Sequence, residues 1–467
     1  MVFSSIPFLF FFMPLFTAAY FLVPTIRGKN LITLAFSLVF YGWGEPAFIL
    51  VLLASIAFNT VAALQIDRRK GRSRTAVLTV CGTLNLLLLA VFKYGGFIVS
   101  NFDAVLRPFG FGIPVPRIML PLGISFFTFH CLSYIIDVYR HRFAANRDPI
   151  EVALYIALFP QLVAGPIVRY KTVARQLRMR RHTLGRASAG ARIFVIGLAQ
   201  KVLIADQVAQ IVEVAFDRTP LPSMLEAWTG LVAYTVQIYF DFAGYSNMAI
   251  GLGLILGFTL PRNFRLPYTS QSITEFWHRW HISLSSWLRD YLYIPLGGSR
   301  GGALQTYRNL VTVFLLCGLW HGASWNFVLW GVWHGTFLVI ERIGLSRLLL
   351  DVPMPARWVY TQLAVMGGWV LFRSNDLSMA GVMYGGLIGR HGIDAMGFEM
   401  HSALLPGAVG ALLAGCAFAV FPRWIKLGSA NGPLMAMADS AWFVCLLLLG
   451  IVCVAAGAYS PFLYFRF

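Results

Sequence analysis

Charge is scarce in this 467-residue chain: Asp, Glu, Lys and Arg together make up 12%. Soluble domains carry about a quarter, so a water-facing globule of this length is excluded. Acidic residues are scarcer still, 19 against 37 Lys and Arg, for a formal net charge of +18. The basic residues sit in short loops between apolar runs rather than on a soluble fold, which argues against a nucleic-acid partner and for contact with anionic headgroups. The six cysteines show no CxxC spacing, which leaves neither a disulfide framework nor a zinc site to read. HExxH is absent too, and no metal is expected. No internal repeat and no matched pair of interrupted spans is visible, so the inverted-repeat signature of secondary transporters is missing.

What is abundant is apolar surface. Hydrophobic residues reach 58% and aromatics 15%, and the mean hydropathy is +0.70. Apolar runs long enough to cross a bilayer recur along the chain, and their even spread predicts one membrane domain over residues 1–467. The N-terminus, MVFSSIPFLFFFMPLF, lacks the basic flank of a signal peptide and reads as a retained first span. The basic cluster 68–74 and the basic segment 169–192 are expected in the cytoplasm. Counting spans back from them places the N-terminus outside. The Pro- and Gly-rich stretch 107–117 reads as a re-entrant segment, because irregular backbone at membrane depth must be covered by protein.

Several residues sit where chemistry would need them. His321 lies in GLWHGASWN between two apolar runs, a costly place for an ionisable ring. A neutral imidazole there can accept a proton, or it can be a structural histidine bonded to a carbonyl; the residues leave both open. His334 offers the same choice with fewer glycine neighbours. Asp241, in QIYFDFAGYS, needs a partner in so apolar a setting, either for proton relay or for structural pairing. Its segment, DFAGY, is expected to interrupt an overlong span at 228–260.

Residues 262–307 form the longest stretch without a span. Within it, 274–291 suits an amphipathic interfacial helix with Phe276, Trp277, Trp280, Leu284, Trp287 and Leu288 on its apolar face. That helix is either a membrane anchor or a basic, aromatic wall for an anionic cofactor, with Arg279 and Arg289 as candidate phosphate contacts. Glu275, His278 and His281 repeat every third residue, but no further ligand accompanies them. Tyr464, in the aromatic tail 460–467, reads from composition alone as an interfacial aromatic.

These motifs carry a family. WHG after an apolar run, TEFWHRWHISLSSWLRDYLYIPLGG and QIYFDFAGYSNMAIGLG together resemble the membrane-bound O-acyltransferases (MBOAT), most closely the bacterial members that acetylate alginate or cellulose. The resemblance runs from MVFSS through PLGISFFTFHCLSYIIDVYR and FPQLVAGPIVRY to SPFLYFRF. It implies an all-α, polytopic transmembrane bundle of about 11–13 membrane segments, with re-entrant or interfacial helices and a central tunnel.

In the bacterial inner membrane, such a protein moves acetyl from a cytoplasmic thioester, acetyl-CoA, to a periplasmic serine-esterase-like acetyltransferase of an exopolysaccharide complex. No cofactor is expected to stay bound. On this resemblance His321 matches the essential histidine. Tyr464 matches a transient acyl carrier, and Asp241 is a further catalytic candidate. Arg279, His281, Arg289, Trp320 and Asn326 are candidate donor contacts. The competing functions are a transporter or export component without covalent chemistry, and an O-acyltransferase acting on peptidoglycan, teichoic acid or lipid.

Overall fold

The computed structural model describes residues 1–421, 433–457, 462 and 463. Every regular element among them is helical, as expected of a chain whose apolar runs must satisfy their own backbone in lipid. Among the described residues, four helices are long and apolar enough to cross a membrane: Pro46–Arg68, Gly71–Phe109, Leu184–Arg218 and Met437–Ala455. Pro7–Leu22, Ile124–Tyr139, Leu377–Leu387 and Pro406–Val420 are shorter apolar helices. The protein is a multi-pass membrane protein.

Contacts divide the chain into two compact units. The first comprises Met1–Phe194 with Met248–Pro261, the second Val195–Asn247 with Arg262–Phe467. In the first, the basic cluster is partly structural. Arg74 is buried and donates to the carbonyls of Val138 and Tyr139. Both carbonyls lie at the C-terminal end of the Ile124–Tyr139 helix, where a cation is favoured and a guanidinium adds donors to the last turn.

Residues 107–117 do not form the covered re-entrant segment that their composition suggests. Beyond the turn Arg107–Phe109 the backbone is non-helical. Phe109 and Phe111 are 73% and 67% exposed. Residues 107–117 are all exposed among the described residues, so the stretch is an exposed loop, tethered by the Ile113 N–H to the Asp103 carboxylate.

The DFAGY sequence does not interrupt its helix either. Met224–Ile255 runs unbroken for 32 residues. Gly244 serves close approach instead of a break: a Cβ there would lie 2.6 Å from the Gly197 carbonyl oxygen. Small residues let helix backbones touch where lipid supplies no hydrophobic drive.

The expected long helix at 274–291 is broken in the second unit. Ile273–Arg279 and Ile282–Leu288 are separate helices, followed by a π-turn at Arg289–Tyr293. His281 takes a left-handed φ of 43° at the break. Ile282 N–H donates to the Asn263 carbonyl, and Ser283 Oγ to the Asn263 side chain. The aromatic face therefore turns into the protein instead of the membrane surface: Phe276, Trp277, Trp280, Leu284, Trp287 and Leu288 are all buried. Glu341 fixes the start of this segment, accepting from Ile273 N–H, Thr274 N–H and Thr274 Oγ1.

Candidate active site

His321 is the last residue of the helix Ala303–His321, and Trp325–Ile340 follows after a short turn. The two helices form a tight antiparallel hairpin. A Cβ on Gly318 would lie 2.1 Å from the Phe327 carbonyl oxygen, and one on Gly331 would lie 2.4 Å from that of Phe314. The apolar stretch 311–340 is thus two helices, and His321 stands at their turn.

The His321 ring is 4% exposed. It meets three aromatic rings edge-on: Trp320 at 4.9 Å, Trp330 at 5.1 Å and Phe372 at 5.1 Å. Such a box excludes water and fixes the ring plane. The carbonyl end of the Ala303–His321 helix favours positive charge developing on the imidazole.

His334 lies one step further along the same cluster, 5.0 Å from both Trp330 and Trp277. Its ring is completely buried, and neither ring nitrogen has a hydrogen-bond partner among the described residues. An imidazole without a partner in an apolar box is costly, which marks His334 as a second histidine of this region.

Asp241 is buried and tied into a charged triad. Lys201 Nζ lies 2.8 Å from Asp241 Oδ1 and 2.5 Å from Asp206 Oδ1, and all three side chains are almost fully buried. Lys201 sits in a π-helical turn, Gln200–Ala205, a distortion frequent at functional sites. Asp241 Oδ2 accepts from the backbone N–H of Leu463 at 2.8 Å. The residue that follows Leu463 in the chain is Tyr464, which lies outside the described residues, as does most of the tail 460–467.

The described part of the tail is packed inward. Phe462 and Leu463 are buried, and Phe462 stacks on Tyr245 with centroids 4.6 Å apart. A relay of ring contacts links Phe462 to the hairpin: Phe462 to Phe242 at 6.2 Å, Phe242 to His281 at 4.7 Å, His281 to Trp320 at 6.2 Å, and Trp320 to His321 at 4.9 Å. Phe462 and the histidine hairpin thereby share one aromatic cluster. His281, outside the spans, belongs to this cluster, and burial pushes its imidazole down to about 3.

The other candidates have defined places. Trp320 joins His281 to His321. Asn326 is buried and donates to the Ser374 carbonyl at 2.6 Å, so its amide secures the end of the Met354–Arg373 helix. Arg279 pairs with Glu275, and Arg289 pairs with Asp290. His278 is exposed while His281 is buried, so their three-residue spacing does not become one helical face.

Lys201, Asp206, Trp330 and Phe372 are the participants that sequence reasoning missed. A lysine and an aspartate five apart inside the apolar run 191–216 were the available signal.

The membrane-bound O-acyltransferase family model matches residues 117–365. A probable alginate O-acetylase of Azotobacter vinelandii is 47% identical over 387 residues, covering 82% of this chain and 77% of the relative. Its counterpart in Pseudomonas putida is 42% identical over the full length of both chains. A peptidoglycan O-acetyltransferase of Helicobacter pylori is 34% identical, covering 84% of this chain and 81% of its own. These proteins are enzymes of acyl transfer, and with the buried histidine at the WHG turn they fix what kind of protein this is: the chain belongs to the membrane-bound O-acyltransferase family and is an O-acyltransferase.

Proposed function

We propose that this enzyme O-acetylates an exopolysaccharide, taking acetyl from cytoplasmic acetyl-CoA and passing it through Tyr464 to a periplasmic serine acetyltransferase. The observation that carries the reading is the hydrogen bond from Leu463 N–H to Asp241. It docks the tail in the aromatic cluster that holds His321, one residue short of the proposed carrier. The relatives named for alginate support a polysaccharide acceptor. On this reading the enzyme lies in the inner membrane with its N-terminus outside and retains no cofactor.

The phenol of Tyr464 is a weak nucleophile at neutral pH, with an ordinary pKa of about 10, so it needs a base. His321 removes the phenolic proton as the oxygen attacks the thioester carbonyl. The C–O bond forms, the C–S bond breaks, and the imidazolium returns its proton to the departing thiolate. An aryl acetate remains on Tyr464. A serine hydroxyl of the partner then attacks it, its proton passes to the tyrosine oxygen, and the acetyl leaves on the serine. The dry aromatic box protects the ester from hydrolysis between the two steps. Asp241, through Lys201 and Leu463, acts by positioning the tail.

Removing a positioned base lowers a rate by about 100-fold to 10,000-fold, so His321→Ala should abolish acetylation in a folded, inserted protein. Normal acetylation by that variant would remove His321 from the mechanism. The H. pylori relative makes peptidoglycan the second acceptor to test. Acetyl appearing on peptidoglycan and not on exported polysaccharide would change the acceptor and leave the chemistry standing.

A further inference from the structure

The first unit contains a cluster of cations that the acyl-transfer chemistry does not use. Lys29 and Arg180 are both buried. His182 and Arg186 lie against the same place. Arg180 Nε donates to the Tyr20 hydroxyl and Nη1 to Asn30 Oδ1, but its buried Nη2 finds no acceptor among the described residues. Lys29 Nζ rests over the rings of Tyr20 at 4.9 Å and Phe21 at 5.2 Å. Neither Lys29 nor Arg180 nor Arg186 has a carboxylate partner among the described residues. Burial, then Lys29 and Arg180, then Arg186 disfavour the charged form of His182, and no acid opposes them.

Backbone adds charge of the same sign. Lys29 lies in the first turn of Ile26–Gly44, and Arg186 lies in the first turn of Leu184–Ala199. The N-terminal end of a helix is electropositive and attracts anions. Placing cations there is unfavourable unless an anion completes the arrangement. Buried like charges without a counter-charge are likewise costly.

The surroundings select the kind of anion. Phe21 touches both Lys29 and His182, yet it is 45% exposed, and its neighbour Leu22 is 82% exposed. An apolar surface running directly into a buried cationic cluster matches a molecule with a phosphate next to a hydrocarbon chain. Basic pockets between membrane helices bind such headgroups. We infer that Lys29, Arg180, His182 and Arg186 form a binding site for the phosphate of an anionic phospholipid, with an acyl chain along Phe21 and Leu22. Arg180 Nη2 and Lys29 Nζ are the donors that the phosphate oxygens would satisfy. This site is independent of the proposed acetyl pathway.

The test is native mass spectrometry of delipidated full-length protein titrated with phosphatidylglycerol, phosphatidylcholine or pyrophosphate. Wild type should retain one phosphatidylglycerol and discriminate against phosphatidylcholine. K29Q should bind phosphatidylglycerol about fivefold more weakly, the worth of one cation at a membrane surface. R180Q should lose more, but it also breaks bonds to Tyr20 and Asn30, so its thermal midpoint must be measured. K29Q removes no hydrogen bond and carries the test if R180Q fails to fold. Equal phosphatidylglycerol affinity in wild type and K29Q would overturn the site. Equal retention of phosphatidylcholine would overturn its charge basis. Displacement of phosphatidylglycerol by pyrophosphate would overturn the lipid source and assign the pocket to a soluble phosphate.

Discussion

Replacing Asp241 separates tail docking from folding. In the native network two carboxylates face one lysine. Asp241→Asn leaves Lys201 with Asp206, a neutral pair, so no buried charge is stranded. The severe penalty of breaking a buried pair, about 3–5 kcal/mol, is therefore avoided. What weakens is the bond to Leu463. A hydrogen bond to a charged acceptor contributes about 1.5–3 kcal/mol, and a neutral one about 0.5–1.5 kcal/mol. The difference of about 1 kcal/mol lowers the docked population of the tail about fivefold. Asp241→Ala removes the bond entirely, and about 2–3 kcal/mol corresponds to a 30- to 150-fold loss. Two assays read this. Hydrogen exchange at the Leu463 amide should accelerate in the order wild type, Asn, Ala, and single-turnover acetyl transfer should fall in the same order. A folded Asp241→Ala protein with native exchange at Leu463 and native transfer would refute the reasoning.

Other outcomes follow from the same structure. Gly318→Ala drives a methyl into the Phe327 carbonyl, so the hairpin must open; overpacking of this kind costs about 1–3 kcal/mol, and a thermal melt with an unchanged midpoint would contradict it. Glu341→Ala strands the amides of Ile273 and Thr274, at about 1–3 kcal/mol for each unpaired donor, and limited proteolysis should then cut at 273–280. The depressed His281 makes stability acid-sensitive: the unfolded ring protonates near pH 6.5 and the buried one only near 3, so this contribution is complete above 6.5 and declines as pH falls toward 3. His281→Phe should flatten that decline in acid melts, and an unaltered profile would exclude the ring as its source. Cysteines placed in 68–74 and 169–192 should label only from the cytoplasm; labelling from outside would reverse the direction of acetyl flow.

The sequence made the helical membrane class legible because lipid leaves few alternatives for apolar runs of that length. His321 was legible because an ionisable ring between apolar runs demands a reason. The turn beside it was not, since the runs on either side of His321 are apolar and hydropathy does not register that they fold back as a hairpin. Only Gly318 and Gly331 marked where two backbones touch. DFAGY looked like an interruption because Asp and Gly weaken a lipid-facing helix; here Lys201 pairs with the aspartate and Gly197 packs on the glycine. The segment 274–291 had amphipathic spacing, but Asn263, outside that window, captures the backbone at His281 and turns the aromatic face inward. Asp241 was recognised as needing a partner. That its partners are Lys201 and the tail amide of Leu463 depended on contacts spanning 222 residues of sequence.

The central claim is that acetyl passes through the C-terminal tyrosine with His321 as base. Mass spectrometry of the C-terminal peptide after incubation with isotopically labelled acetyl-CoA tests it most directly. The account predicts label on Tyr464 in wild type, a loss of that label in His321→Ala, and none in Tyr464→Phe. Label accumulating on the partner's serine at the wild-type rate in Tyr464→Phe would contradict it.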